Sequence, residues 1–503
     1  LARTALVVNA GFADLIEIGR QDRPELYALH PLKTREIVPR ELRFEIEQRS
    51  QPALGSRVLE HTRRPTRAEL ARLVRKVAAA KPEAIAVCLL HSYADPSIER
   101  EVAQALRSLG VPITCSAALV REHREFERFS TAVVNAALVP VVRGYLERLA
   151  VSLPHARLQL LRSSGGTISA ARAALEPVRV LTSGPAGGVI GASRAALEAG
   201  FERMVGLDMG GTSTDVAFRN VGATRAAQQV VASAIDGRPI AVPSLDLHTI
   251  GCGGGSLVHV DSGGVLHVGP HSAGAVPGPV CYGAGLVPTI TDAHVLLGHV
   301  ATGAFVAGRV ELDVDAVARA FEKLARKLGT TPLEAAQATL DVARAAMRRA
   351  LATMTMQRGE DPARTTLVAF GGAGGLHAAA LAASLGMPCA LVPRGPGVLS
   401  ALGMATADAA TEGARSVLAP LAAVPRVELA RMLKALAKDA RDELVDAGCA
   451  TRAIEFEYEL DLRYEGQSFE LRVPVEDARR DAAAPPRGVP EIRGRAPGPR
   501  PRG

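Results

Sequence analysis

The sequence predicts an α/β protein of two to four domains, and three observations carry that reading. Its 503 residues exceed one ordinary domain. Apolar runs of strand length alternate with amphipathic stretches of helical length, the rhythm of a parallel or mixed sheet covered by helices. Gly is abundant (48 residues), aromatics are only 3% and Trp is absent, a profile of tight turns in an α/β protein rather than a β-sandwich or disulfide scaffold.

The elements follow in order. Ala5-Leu6-Val7-Val8 reads as a buried strand, and a chain that opens inside a strand looks like a fragment. Residues 21–67 are polar, Arg/Glu-rich and interrupted by Pro, which predicts a surface excursion. Glu83–His91 has the length of a buried strand; Asp95-Pro96 opens a helix through Leu109, and Val111–Thr114 begins another strand. A helix is expected over Ser130–Leu149, then a strand at Leu158–Arg162, a turn at Ser163–Gly166 and a helix from Ser169. Ser183–Gly188 (SGPAGG) predicts a second sharp turn before a helix ending at Ala199. Helices over 313–328 and 332–357 form a hairpin, the second opened by a capping box of Thr331, Pro332 and Glu334. A charged helix (Val427–Ala447) and a strand-like alternation from Ile454 to Val475 follow.

Composition excludes several function classes. The net charge of +7 is uneven, because residues 477–503 hold seven Arg against three acids. The remaining surface is close to neutral, which excludes nucleic-acid binding driven by overall charge. The tail, with six Pro and almost nothing apolar, is expected to be disordered. No run of 18 consecutive apolar residues occurs, so no membrane span is expected. None of the seven Lys sits in a G-x-x-x-x-G-K-[ST] string, which rules out a P-loop. Six scattered Cys without a C-x-x-C pair fit neither a zinc site nor a disulfide framework and point to a reducing, cytoplasmic setting.

Two strings carry chemistry. Met204–Phe218 reads as strand, tight turn and strand, with Asp208 ending the first strand, Gly210 and Gly211 in the turn, and Thr212 and Thr214 adding hydroxyls. Outward N–H groups in such a turn suit a phosphate. A carboxylate at Asp208 can hold a hydrated Mg²⁺ against it, and Asp215 can orient the turn or position water. In Leu367–His377 a buried strand runs into Gly371, Gly372, Gly374 and Gly375 and then a helix, a bare backbone that lets an adenine or ribose approach. The spacing fails G-x-G-x-x-G, so no dinucleotide fingerprint is present. His377 opens that helix, where it can contact phosphate, act as acid or base, or simply cap. Asp246 and His248, with Asp292 and His294, would form two pairs on strand faces, a possible site for an additional divalent metal; structural roles are the alternative.

A phosphate hairpin followed by a strand–GGxGG–helix is similar to the second half of an actin-like ATPase fold, the two-lobed fold of sugar kinases, heat-shock chaperones and actin. Longer strings narrow the likeness: residues 11–21 (GFADLIEIGRQ), 124–135 (REFERFSTAVVN), 183–188 (SGPAGG), 207–215 (LDMGGTSTD), 246–256 (DLHTIGCGGGS), 272–279 (SAGAVPGP) and 291–293 (TDA). With these in order the chain resembles the hydantoinase A/5-oxoprolinase family, which includes N-methylhydantoinase and ketone carboxylase subunits. The resemblance implies an α/β, actin-like ATPase truncated at its N-terminus, with a partial N-terminal lobe over 1–125, a core over 126–410, a partial C-terminal α+β domain over 411–476 and a tail over 477–503. It implies ATP and Mg²⁺ as cofactors, a small cyclic amide or imide as substrate (hydantoin or 5-oxoproline type) and a hydantoinase B-type partner subunit, with no nucleic acid or membrane. Asp208 would organise Mg²⁺, Gly210 to Thr214 would hold phosphates and Gly371 to Gly375 would seat the nucleoside.

Relatives begin earlier, with a first phosphate hairpin that this sequence lacks, carry Pro where Gly375 stands, and continue past Val475. The expectation is therefore a chain that hydrolyses ATP poorly or not at all. Two other readings stand beside the amide hydrolase: the ATP-using subunit of an acetone/acetophenone-type carboxylase, and an impaired fragment serving as a nucleotide-binding scaffold.

Overall fold

A computed structural model describes residues 1–22, 27–30, 35–52, 59–221, 230–235, 237–302, 311–356, 359–467 and 470–475. The Pro/Arg tail lies outside the described residues. The chain divides into two compact units, one of residues 3–20, 38–132 and 411–503, the other of 1–2, 21–37 and 133–410.

The first unit is built on four parallel strands in the order Arg43–Ile46, Thr4–Asn9, Ala84–Cys88, Ile113–Cys115. Thr4–Asn9 and Ala84–Cys88 are buried throughout, as parallel strands covered on both faces must be. Helices Arg67–Ala79 and Ser97–Leu106 supply Leu70, Leu73, Val77, Ile98, Val102 and Leu106 to the core against Ala5, Val7, Ile85 and Val87. Thr66 and Glu69 cap the first of these helices reciprocally. The excursion expected over 21–67 is corrected here. Arg43–Ile46 is a strand of the central sheet, and Val38, Leu42 and Ile46 are buried, because three apolar residues at the right positions suffice once a neighbouring strand completes the ladder. The antiparallel pairs Arg49–Pro52/Leu59–Arg63 and Glu459–Leu462/Leu471–Pro474 and the helix Arg426–Asp446 also belong to this unit.

The second unit has a five-stranded sheet in the order His248–Ile250, Thr214–Asn220, Arg203–Met209, Thr366–Phe370, Ala390–Leu391. The pair 203–209/214–220 is antiparallel, and Thr366–Phe370 joins Arg203–Met209 in parallel. One face, with Met204, Ala217, Val368 and Phe370, packs on helices Ser183–Glu198 and Leu399–Thr406. The other, with Val205, Leu207, Met209, Val216, Leu367 and Ala369, packs on helices Ile290–Leu296, Val314–Leu328, Pro332–Met356 and Ala378–Ser384. Successive strand residues thus serve opposite helical layers. The capping box at Thr331 and Glu334 forms as expected.

Two expectations fail in this unit. Ser183–Gly188 is the first part of the helix Ser183–Glu198, not a turn. A Cβ on Gly187 would lie 2.7 Å from the Ser400 carbonyl oxygen, and one on Gly191 2.6 Å from that of Leu399. These glycines are present so that two helices can touch backbone to backbone. Asp292 and His294 lie on the helix Ile290–Leu296, not on a strand.

Among the described residues one helix, Glu125–Ser152, is long and apolar enough to cross a membrane, and 61% of its most apolar window is buried inside the protein. All six cysteines are free.

Candidate active site

Sheet register brings the two glycine strings together. Asp208 stands opposite Asp215 across the hairpin and opposite Phe370 on its other side, so the bend after Phe370 falls against the Asp208 side chain. Gly371 has φ +79°, and a Cβ there would lie 2.4 Å from Asp208 Oδ1 and 2.5 Å from the Met209 carbonyl oxygen. The Ala373 N–H donates to that carbonyl at 3.1 Å, stitching the bend to the hairpin. Gly374 is buried, 3.1 Å from the Leu207 carbonyl oxygen at its would-be Cβ, while Gly211 and Gly372 have open space beside them. The close-packed glycines fix the bend; the open ones leave backbone reachable by a ligand.

A third segment closes on the same turn. The N–H groups of Gly254 and Gly255 donate to the carbonyls of Gly210 (2.9 Å) and Gly211 (2.7 Å). A Cβ on Gly253 would sit 2.6 Å from the Ser213 nitrogen. Thr291 holds the run from beneath, its N–H and Oγ1 both on the Gly254 carbonyl at 2.8 and 2.9 Å. Residue-by-residue reading missed this clamp, although the triple glycine 253–255 was the available signal.

The site is acidic and partly dehydrated. Burial, and then the neighbouring Asp215 charge, push the Asp208 carboxyl up to about 6, partly offset by Ser400 Oγ at 3.5 Å. Burial raises Asp215 as well, against an opposing hydrogen bond from Thr249 Oγ1 at 2.5 Å. Two facing carboxylates could serve as donors to a hard divalent cation, whose binding would relieve their repulsion. Ser400 and Thr249 carried no signal in the sequence.

Other expected site residues are placed elsewhere. Thr212 is exposed in the turn, but Thr214 is fully buried and its hydroxyl donates to the Cys252 carbonyl, so it holds the glycine run and not a phosphate. Asp292 is also fully buried. It accepts from the N–H groups of Val280 (3.1 Å), Cys281 (2.8 Å) and Thr289 (2.8 Å) and from Thr289 Oγ1 (2.8 Å), so it caps its own helix and ties the 280–281 turn to it. Among the described residues no group of three or more His, Cys, Asp or Glu is arranged to hold a metal, so the site expected from Asp246, His248 and Asp292 does not assemble. His248 begins the edge strand beside Thr214–Asn220, opposite Val216.

His377 does not face the glycine bend as a free acid or base. It is fully buried, its Nε2 3.2 Å from His294 Nε2, while His294 Nδ1 meets His299 Nδ1 at 3.0 Å. Burial, then the neighbouring histidines and Arg344, lower His294 to about 4 and His377 to about 3. Both stay neutral at pH 7. Their folded values lie below the ordinary 6.5, so the unfolded chain binds more protons as pH falls; stability is full above 6.5 and declines between 6.5 and about 4. Each histidine contributes a slope of up to about 1.4 kcal/mol per pH unit in that window. We expect His294→Asn to lose roughly half of the pair's share of that slope, seen in urea midpoints at pH 7.5 and 5.5. An unchanged slope would exclude the pair as its source.

The fold and site define an α/β protein in which a carboxylate-bearing glycine hairpin, a glycine bend and a third glycine run share one locus. A profile of the hydantoinase/oxoprolinase family matches residues 128–413, and one of the hydantoinase/oxoprolinase N-terminal region matches 1–110. The chain belongs to this family. 5-Oxoprolinase 1 of Arabidopsis thaliana is 34% identical over 94% of this chain and 39% of its own length. The crystal structure of the ATP-dependent caprolactamase from Pseudomonas jessenii is 28% identical, with a TM-score of 0.79 over 95% of this chain and 70% of that one. Nucleotide-free acetone carboxylase is 25% identical, with a TM-score of 0.73 over 94% and 69%. The chain thus spans well under half of the plant oxoprolinase it matches.

Proposed function

We propose that this chain is the nucleotide-binding, carbonyl-activating part of an ATP-dependent cyclic-amide hydrolase of actin-like fold. The observation that supports it is the approach of Gly371 to the Asp208 carboxylate at the hairpin Gly210–Ser213, two segments that the family resemblance assigns to nucleoside and phosphate. Asp208, with Asp215 facing it, would hold Mg²⁺, which when bound supplies charge neutralisation for the phosphates. The backbone at Gly210–Thr212 would position the phosphates, and the open backbone at Gly372 would receive the nucleoside. In the reaction the amide oxygen attacks the γ-phosphorus and the bond to the β,γ-bridging oxygen breaks, releasing ADP. Water then adds to the activated carbon; expulsion of the ring nitrogen as its protonated amine opens the ring and leaves an acyl phosphate, which a second water hydrolyses to carboxylate and inorganic phosphate. Asp215 would orient the first of these waters.

Fold likeness to acetone carboxylase supports a second reading, in which the phosphorylated oxygen belongs to a ketone enolate or bicarbonate. A B-type partner subunit is part of either reading. Hydrogen exchange of the chain with Mg·ATP is expected to protect amides at 209–213 and 371–377. Absence of protection at both would sink the nucleotide site. ATP turnover with the partner present, tested with 5-oxoproline, hydantoin, caprolactam, and acetone plus bicarbonate, then separates hydrolase from carboxylase.

A further inference from the structure

The other unit contains a hydrogen-bonded line of side chains that the nucleotide chemistry does not use. Ser50 lies in the strand Arg49–Pro52 and His61 in its antiparallel partner Leu59–Arg63, where a register irregularity between Arg49 and Gln51 marks a bulge. Bulges re-aim side chains. Here Ser50 Oγ lies 2.8 Å from His61 Nδ1, and His61 Nε2 lies 2.8 Å from Asp95 Oδ2.

The direction of every proton in this line is set from both ends. The backbone N–H of Leu90 donates to Asn9 Oδ1 at 2.8 Å, so the Asn9 amide nitrogen must donate onward, to Gln48 Oε1. Gln48 Nε2 then donates to Ser50 Oγ, which leaves the one Ser50 proton for His61 Nδ1. At the far end the Ser97 N–H donates to Asp95 Oδ1 at 2.9 Å. Partial burial raises the Asp95 carboxyl, but the Ser97 N–H and the His61 ring outweigh it and hold it below its ordinary range. An ionised Asp95 only accepts, so Nε2 carries the imidazole proton and the Nδ1 lone pair faces the serine hydroxyl. That is a nucleophile, a base in the correct tautomer and a carboxylate that orients it. The ring nitrogens are used in the reverse of the commonest order, and either nitrogen can take a proton. Ser50 and His61 are partly exposed, while Asn9 and Gln48 behind them are buried and hydrogen-bonded to each other.

We propose that Ser50, His61 and Asp95 form a second, ATP-independent active centre whose serine takes carboxylic esters. Ser50 Oγ bonds to the ester carbon as its proton passes to His61 Nδ1, and the carbonyl electron pair moves to oxygen. Gln48 Nε2, which donates to Ser50 Oγ in the resting chain, has a second N–H that would serve that oxygen. Collapse expels the alcohol, which takes the proton from His61 and leaves an acyl-Ser50 ester. Water, deprotonated by His61, then releases the carboxylic acid and restores the serine. Asp95 remains ionised throughout and stabilises the imidazolium.

The test uses the whole chain without nucleotide, an alkyl phosphonofluoridate as probe and p-nitrophenyl acetate as substrate. The expected result is one phosphonyl adduct per chain with loss of fluoride, mapped to Ser50 by peptide mass spectrometry, together with ester hydrolysis. Ser50→Ala should abolish both. His61→Ala should slow labelling at least 100-fold and Asp95→Asn at least 10-fold, with melting temperatures within a few degrees of wild type. No adduct at Ser50 in the wild-type chain, or labelling of His61→Ala at the wild-type rate, overturns the proposal; the wild-type measurement decides even where a variant fails to fold. Neither result bears on the nucleotide site.

Discussion

Asp208→Asn is expected to weaken Mg·ATP binding about 100-fold or more while making the fold more stable at pH 8, and the two opposite signs are the test. The binding loss follows from removing one of two carboxylates that face each other at the glycine hairpin, the charge that a hydrated cation would neutralise. The stability gain follows from the raised pKa. A group whose folded value is about 6, against an ordinary 3.8, is held in the fold at a cost once ionised. That cost appears as pH rises from about 4 through 6 and persists above. Because the group is partly exposed, the gain in the amide variant is on the order of 1 kcal/mol at pH 8 and absent at pH 4. Calorimetric titration of Mg·ATP and urea midpoints at both pH values measure the two halves. Loss of stability with unchanged binding would make Asp208 a structural residue.

The largest expected effect on stability belongs to Gly403→Ala. A Cβ at 403 would lie 1.9 Å from the Gly187 carbonyl oxygen and 2.7 Å from the Gly191 nitrogen, both backbone atoms of the facing helix. No side chain can rotate out of the way, so the helices Ser183–Glu198 and Leu399–Thr406 must separate, at a cost of about 3 kcal/mol. Separation also moves Ser400 off Asp208, so nucleotide binding should fall with stability. Gly184 provides the control on the same helix. Nothing lies within 4 Å of its would-be Cβ, and Gly184→Ala should be neutral or stabilising by about 0.5 kcal/mol. Equal denaturation midpoints for the two variants would refute backbone-to-backbone packing here.

The histidine pair and Asp292 show why residue types alone misled. A titratable residue near a glycine loop invites a catalytic role, yet His377 points into the protein at His294. Asp292, a plausible ligand by type, is taken up by the Thr289 helix start and by the backbone N–H groups of Val280 and Cys281. Burial and partner geometry decide such cases, and neither is written in local spacing. The run SGPAGG misled for a related reason: glycine normally signals a turn, and only the presence of an opposing helix backbone makes it a helical residue. Similarly, Arg43–Ile46 lacks a strong strand pattern of its own and becomes a strand through its ladder to Thr4–Asn9.

Local chemistry was legible throughout the chain: the buried runs at 4–9, 84–88 and 366–370, the capped helix at 332, and the hairpin with Asp208 at its strand end all follow from hydrophobic period, capping residues and glycine placement. These depend on interactions within a few residues. Which carboxylate meets which glycine does not. The parallel register of 366–370 on 203–209 puts Gly371 on Asp208, and the ladder from Gly254 and Gly255 puts a third glycine segment on the same turn. Pairing between distant segments is settled by the whole core that each strand face must bury, so the composition of the site is a property of the assembled sheet and not of any one string.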